Sequence, residues 1–91
     1  MAQTVSEILT AATDSVNVIN DVNTNGSDSD YVMSGATQTE INDLVQRNVD
    51  HLEVILAYDG SDDLPDVTGS SDDKTSYTDA IATGNAYIAA N

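Results

Sequence analysis

The sequence has no cysteine, tryptophan or phenylalanine, and it has only 2 basic residues against 16 acidic ones. Without cysteine the chain can form no disulfide, thiolate metal site or cysteine nucleophile. The absence of cysteine also gives no information about the redox state of the compartment in which the protein works. Nucleic-acid phosphates and anionic lipid surfaces bind clustered lysine and arginine. The formal net charge of −14 therefore predicts neither nucleic acid nor a membrane as a partner.

Long apolar runs are also lacking, since none approaches the roughly 18 residues of a membrane-spanning helix. The N-terminus has no basic segment before an apolar one, so we expect no signal peptide. The length of 91 residues predicts one small domain over 1–91, which buries about 60–65% of the surface that its unfolded chain exposes. With four tyrosines as its only aromatic residues, the core is thin, and we expect marginal stability that salt, cations or a partner would raise.

The first predicted helix spans 4–22. Its apolar residues fall within an arc of about 140° when they are placed on a helical wheel. They are Val5, Ile8, Leu9, Ala12, Val16, Ile19 and Val22. Thr4 and Glu7 have the spacing of a capping box, and an acidic line formed by Glu7, Asp14 and Asp21 runs outside the arc. Asn23, Asn25 and Gly26 are expected to end this helix.

The second predicted helix spans 38–58 and has the clearest periodicity. Its apolar arc, again of about 140°, contains Ile41, Leu44, Val45, Val49, Leu52, Ile55 and Leu56. Thr37 and Glu40 form a second capping-box pair. Arg47 has the spacing for ion pairs with Asp43 and Asp50, each stabilising by about 0.2–0.5 kcal/mol.

The third predicted helix spans 72–90 and begins at the small polar and acidic residues from Ser70 to Asp73. One face carries Tyr77, Ala80, Ile81, Gly84, Tyr87 and Ile88. Glycine inside a helix costs about 1 kcal/mol relative to alanine, so Gly84 indicates either a close approach to a neighbouring helix or a tolerated weak position. We predict an all-α, small three-helix bundle in up-down-up order with long acidic loops. The alternative is a helical hairpin whose third helix packs on a partner.

The connecting segments 23–36 and 59–71 are longer than the 2–8 residues of ordinary bundle connections. Each contains an apolar island, formed by Tyr31, Val32 and Met33 in the first and by Leu64, Pro65 and Val67 in the second. These islands either tuck under the bundle or dock on a partner.

Calcium is the first ligand that the acidic segments suggest. Residues 21–26 match the first half of an EF-hand loop, but the twelfth position of that loop, which requires glutamate, is Val32. Looser cation binding remains open for the carboxylates Asp59, Asp62, Asp63, Asp66, Asp72 and Asp73. Neither pattern is specific, so we predict no metal site and no cofactor.

Catalysis requires a positioned acid, base or nucleophile, and the sequence offers few candidates. His51 is the only histidine and lies at the margin of the second apolar arc, where packing or local hydrogen bonding explains it better than a catalytic role. No phosphate-binding glycine loop is present. We therefore predict that the chain is not an enzyme and has no catalytic residues.

Three residues do not fit the pattern of their predicted helices. Asn48 lies near the centre of the second apolar arc, where it either sets register or partner choice or is bonded within its own bundle. Val18 and Val54 lie on otherwise polar sides of their helices and leave room for a second contact face.

Two segments resemble small acidic proteins encoded by tailed bacteriophages, including marine ones. These proteins have a motif of the form R-N-V-x-H-L-E followed by an alanine-rich helix with G-N-x-Y-I. The matching residues here are Arg47, Asn48, Val49, His51, Leu52 and Glu53, then Gly84, Asn85, Tyr87 and Ile88. The opening MAQTVSEILTAA is similar in style. The short motif implies a tailed-phage origin and association with the virion, and it transfers no catalytic or binding residue.

The first hypothesis for function is an accessory structural protein of a tailed-phage particle, either a capsid decoration protein or a tail-associated one. Many copies would dock on a major capsid or tail protein with the acidic faces to solvent, and the location would be the virion. The alternative is an acidic DNA mimic that inhibits a host nucleic-acid-binding protein. A cation-dependent adhesion or spacer module is a third possibility.

Overall fold

The computed structural model describes the backbone of residues 5–58 and 71–91 and the side chains of residues 7–57 and 75–91. It contains the helices α1 (Val5–Asn25), α2 (Gln38–Tyr58) and α3 (Ser71–Ala90), with a short 3-10 helix over Gly26–Asp28. Each α-helix packs against the other two. No strand occurs in the described ranges, and the prediction of an all-α three-helix bundle is confirmed.

Contacts between the helices establish their relative directions. Gln38 at the start of α2 donates to the Tyr87 hydroxyl near the end of α3 at 3.1 Å, so these two helices are antiparallel. Thr13 and Val16 of α1 line a cleft with residues 76–77 of α3, whereas Ile19, further along α1, lies beside Gly84. Helices α1 and α3 therefore run in the same direction, which is the predicted up-down-up order.

The predicted apolar faces form the core. The buried residues are Ile8, Ala12, Ile19, Val22, Ile41, Val45, Val49, Leu52, Ile55, Tyr77 and Ala80. The other predicted members pack against them partly buried, and these are Leu9, Val16, Leu44, Leu56, Ile81, Tyr87 and Ile88. The side chain of Val5 lies outside the described residues. The core is aliphatic apart from the tyrosines of α3, as the composition predicts.

Helix α1 continues to Asn25 and not only to residue 22, so the predicted end was wrong. Side-chain hydrogen bonds hold the last turn in helical form, because Thr24 Oγ1 donates to the Asn20 carbonyl and Asn25 Nδ2 donates to Asp21 Oδ1. Gly26 follows with a φ of 57°, a conformation common just after a helix. The predicted N-cap, Thr4, lies outside the described residues.

The capping box at the start of α2 is formed as predicted. The Glu40 N–H donates to Thr37 Oγ1 at 3.1 Å, and the Thr37 N–H donates to Glu40 Oε1 at 2.9 Å. The hydrogen bond from the Thr37 backbone, and then that with its side chain, lowers the pKa of the Glu40 carboxyl from its usual value. Two donors that the helix leaves unpaired are thereby satisfied.

Gly84 is buried on the inner face of α3. A Cβ atom there would meet side-chain carbons of Val49, Val45 and Ile19. Of the alternatives for this residue, close approach to neighbouring helices is the one that the structure supports. The missing side chain lets the backbone of α3 lie directly on the valines of α2.

Two consecutive turns join α1 to α2. The Val32 N–H donates to the Ser29 carbonyl at 3.1 Å, and the Ala36 N–H donates to the Met33 carbonyl at 3.0 Å. Gly35 has a φ of 85°, as the third residue of a type II turn requires. This segment is therefore hydrogen-bonded structure that presents residues 31–33 at a defined place. Residues 59–70, including the island of Leu64, Pro65 and Val67, lie outside the described residues.

Candidate functional site

His51 lies at the contact between α1 and α2, with an exposed ring whose Nδ1 atom is 2.8 Å from the Ser15 hydroxyl oxygen. A structural role for His51 in local hydrogen bonding was predicted, and this bond is of that type. The partner of His51, however, lies on α1 and not on its own helix α2. The bond ties the two helices together near the edge of the core.

A serine beside a histidine is also the arrangement of a nucleophile and its base. Ser15 is only 3% exposed and lies in the middle of α1, where the backbone N–H groups are used by the helix itself. A substrate carbonyl could not reach its hydroxyl, and no free N–H beside it could bind an oxyanion. The geometry fits a structural hydrogen bond between helices.

The half-buried amide of Asn48 is bonded within its own helix, because Nδ2 donates to the Leu44 carbonyl at 2.8 Å. Such a bond requires no group from another helix or another protein. Of the two alternatives for Asn48, bonding within its own bundle is therefore the one that this hydrogen bond supports.

The EF-hand-like segment does not form a calcium loop. Asn23 and Asn25 belong to α1, so they cannot wrap around an ion together with Asp21. The Asp21 carboxylate instead accepts hydrogen bonds from the Asn25 amide and from the hydroxyl of buried Ser29. Ser29 in turn accepts from the Tyr31 N–H at 3.2 Å, which links Asp21 to the connecting turns.

Asp21 also bears on the DNA-mimic alternative, which uses the acidic line on α1. The Asp21 carboxylate is partly buried and accepts two hydrogen bonds from the chain itself, so it is less accessible to a partner than an exposed carboxylate. Glu7 and Asp14 remain exposed members of that line. On α2, the exposed carboxylates of Asp43, Asp50 and Glu53 lie outside the core-facing arc.

No cluster of three or more potential metal ligands occurs among the described side chains. Within the same residues every buried polar side-chain atom has a hydrogen-bond partner. The side chains of the acidic cluster over 59–73 lie outside the described residues. The described interior therefore has no unsatisfied polar group that would hold a ligand.

Large exposed apolar side chains are few, and those in the described ranges are Tyr31, Met33 and Val54, at 49%, 82% and 53% exposure. Val54 is exposed as predicted, but the prediction for Val18 was wrong, because Val18 packs partly buried against the core. Val18 is one turn from Ser15, which faces α2, so it lies at the seam between the helices. The proposed second face loses one of its two valines.

The first connecting segment and α2 enclose a shallow groove of about 240 Å³, called here the Met33 groove. Its apolar lining consists of Tyr31, Val32, Met33, Ala36, Ile41 and Leu44, with Glu40 and Arg47 as its charged members. Val32 packs against the core, whereas Met33 and Tyr31 stay exposed. Of the residues of this island, Val32 therefore tucks under the bundle, whereas Tyr31 and Met33 remain accessible to a partner.

A second, widely open depression adjoins the groove on the outer side of α2; its described lining comes from this one helix, and it is called here the acidic basin. Its lining residues are Glu40, Asp43, Gln46 and Arg47, so Glu40 and Arg47 belong to both depressions. The Glu40 carboxylate is fully exposed and keeps its charge, since its pKa is lowered by Thr37. An apolar surface and an acidic one thus meet at the same two residues.

The two ion pairs predicted for Arg47 are not formed among the described residues. Arg47 Nε donates instead to the Asp43 main-chain carbonyl at 3.4 Å, and the Asp50 carboxylate accepts from Gln46 at 2.8 Å. Exposed ion pairs on a helix gain too little energy to fix two flexible side chains. The Asp43 carboxylate consequently remains open at the surface.

None of the helices over 5–58 and 71–90 has the combination of length and hydropathy needed to cross a bilayer. No family model, curated protein or solved structure matches the chain. The resemblance to tailed-phage proteins therefore stays a prediction that rests on the motif alone.

Sequence reasoning missed two buried polar residues, Ser15 and Ser29. For Ser15 a signal existed, because it lies three residues after Ala12 and four before Ile19, on the same helical face. For Ser29 no such signal existed, since its burial depends on how the connecting turns fold back onto Asp21. The Met33 groove likewise depends on residues from two separate elements.

Proposed function

We propose that this chain is a non-enzymatic accessory structural protein of a tailed-phage particle. It docks on a major capsid or tail protein, in many copies, with most of its acidic surface in solvent. The observation that carries the proposal is the exposed apolar pair Tyr31 and Met33 on an otherwise strongly acidic molecule. Exposed apolar groups gathered at one groove are typical of a surface that binds another protein.

The structural role of the Ser15–His51 contact supports the non-enzymatic part of the proposal. In the described residues the polar interior is satisfied by the protein itself, and the depressions of the surface are shallow. A protein of this kind contributes contact area and charge to an assembly. The motif resemblance supplies the phage particle as the setting.

Mass spectrometry of purified particles of the phage that encodes this protein tests the proposal. We expect the protein to keep a constant ratio to the major capsid or major tail protein through successive density gradients. A non-virion protein of the infected cell serves as the control for carry-over. Absence from the particles, or a ratio that falls in parallel with the control, would contradict a virion role.

The DNA-mimic alternative keeps some support from exposed Asp43, Asp50 and Glu53 on α2. It predicts competition with duplex DNA for a host nuclease or polymerase, with a steep dependence on salt. A lack of retention on every basic host protein tested would remove this alternative.

A further inference from the structure

We propose that the Met33 groove and the acidic basin together bind one partner segment, which combines a large apolar side chain with flanking lysine or arginine residues. This inference rests on the proposed structural function and names its docking face and the chemistry of its partner. The apolar groove and the acidic basin share Glu40 and Arg47, so one bound segment would contact both.

The apolar half is presented by ordered backbone. Val32 packs against the core and fixes the segment, while the turn closed by the Ala36 N–H and the Met33 carbonyl holds Met33 outward. With 82% of its surface exposed, Met33 gains from burial by a partner side chain. Methionine also adapts its shape to irregular apolar surfaces, which suits a groove that receives a side chain.

The acidic half determines what must flank that side chain. One oxygen of Glu40 accepts from Thr37, which orients the carboxylate, and the Asp43 carboxylate is exposed without an ion pair to Arg47. Asp28 and Asp30 are exposed at the start of the connecting segment. A lysine or arginine beside the inserted side chain would meet the Glu40 and Asp43 carboxylates, which outnumber the Arg47 guanidinium in the described lining of the basin. Complementary charge of this kind favours both encounter and register.

Charge also argues against a second copy of this chain as the occupant. Each copy has a formal charge of −14, and a symmetric dimer would place identical surfaces against each other. Arg47 is the one basic residue in the described lining of each basin, so it offsets only one of the two carboxylates there, and the net charge of the two copies opposes their association. A basic partner turns the same carboxylates into favourable contacts.

The test uses nuclear magnetic resonance titrations of the full chain with two synthetic peptides. One is an amphipathic helix of leucine and lysine, and the other has the same leucines with glutamate in place of lysine. We expect saturable shifts of Met33, Tyr31 and Leu44 with the lysine peptide and none with the glutamate peptide. Glu53, on the outer surface of α2, should not follow the same curve.

Variants separate the two halves of the site. Met33→Ser should weaken binding of the lysine peptide about tenfold, because it removes a large apolar contact, while Val54→Ser is the matched exposed control and should leave it unchanged. Asp43→Asn should weaken binding about threefold at low salt, and less at high salt. Because these side chains are exposed, the variants should keep the thermal midpoint of the parent protein.

Four results of the titrations would overturn the inference. They are equal binding of both peptides, absence of binding, shifts spread over the whole acidic surface that Met33→Ser does not alter, and concentration-dependent broadening of the groove signals without peptide. The last result would identify a second copy as the occupant.

If the protein is found on particles but Met33→Ser is incorporated as well as the parent chain, the docking face is wrong and the virion role stands. If it is absent from particles, the virion role fails whatever the peptides show.

Discussion

At Gly84 the backbone of α3 lies so close to α2 that an added Cβ atom would be 2.5 Å from Val49 Cγ2 and 3.2 Å from Val45 Cγ1. Valine has little rotameric freedom in a helix, so neither side chain can move away easily. Elsewhere in a helix alanine would be preferred to glycine by about 1 kcal/mol. Packing opposes helix propensity at this residue, and the distances indicate that packing dominates.

Gly84→Ala should therefore lower the free energy of unfolding by about 1–2 kcal/mol, because the overpacking cost exceeds the gain in helix propensity. Urea unfolding followed by circular dichroism measures this change. The control is to make Gly84→Ala in a Val49→Ala protein, which lacks the side chain nearest to the added Cβ atom. There the same substitution should lower the free energy of unfolding less, or raise it. An equal cost in both backgrounds would show that the close contact is not the cause.

Ser15 and His51 form the other residue-scale feature, a hydrogen bond between helices at the edge of the core. Single replacements Ser15→Ala and His51→Ala should each destabilise, and the double variant should reveal a coupling of about 0.5–1.5 kcal/mol. Urea unfolding of all four proteins near neutral pH gives this coupling energy. A coupling near zero would mean that the two side chains do not depend on each other in solution.

At the scale of the elements, the start of α2 matters most, because it supports both the helix and the groove beside it. The Thr37 hydroxyl accepts from the Glu40 N–H, and the Glu40 carboxylate accepts from the Thr37 N–H. The end of α1 uses different chemistry, with Asp21 held by Asn25 and Ser29. Both helix ends therefore help to position residues 31–33 between them.

Thr37→Ala removes the N-cap and should lower the free energy of unfolding by about 1 kcal/mol. Thermal or urea unfolding checks the value, and Thr37→Ser is the control that keeps a capping hydroxyl. Should the alanine and serine variants be equally stable, the hydroxyl would have no capping role.

The lowered pKa of Glu40 makes part of the stability depend on pH. Since its folded-state pKa lies below the ordinary value of 4.5, the contribution is present above that value and is lost as pH falls through the folded-state pKa. Between about pH 5 and pH 3, the parent protein should therefore lose more stability than Glu40→Gln. Glu53→Gln removes another exposed carboxylate of α2 without a capping role and is the control. If the parent protein and Glu40→Gln lose the same free energy of unfolding on acidification, the expected contribution of the Glu40 carboxylate is contradicted.

At the scale of the whole molecule, a formal charge of −14 acts on a bundle with a small aliphatic core. Carboxylates that repel one another oppose compaction, and salt weakens that repulsion because the screening length shortens from roughly 14 Å to 4 Å between 0.05 and 0.5 M. Few compensating ion pairs are available, since Lys and Arg together number 2.

Raising sodium chloride from about 0.05 to 0.5 M should therefore raise the thermal midpoint by several degrees, which for a domain of this size is about 1 kcal/mol. Calorimetry or circular dichroism measures it. Potassium chloride at the same concentration should act equally, and calcium chloride at equal ionic strength should add nothing further if screening is the whole effect. A large additional rise at millimolar calcium would favour the cation-dependent adhesion module, and a midpoint unchanged by any salt would contradict the role given to repulsion.

Periodicity and capping signals within single helices were sufficient to predict the three-helix bundle. The apolar arcs identified the core, and the Thr37–Glu40 spacing identified the start of α2. The end of α1 was predicted too early because Asn23 and Asn25 favour turns as well as helix termini. Their side chains could be assigned only when their bonds to neighbouring groups were known.

Local pattern determined where the three helices lie apart from the last turn of α1, which side of each helix is apolar, and that the surface is acidic, because these properties depend on neighbours within one or two turns. Only the tertiary structure decided the packing role of Gly84, the Ser15–His51 bond, the partial burial of Val18 and the formation of the Met33 groove. Each of these joins residues from separate elements, and their distances depend on how helices and turns pack together. Helical spacing along one segment contains no information about such distances.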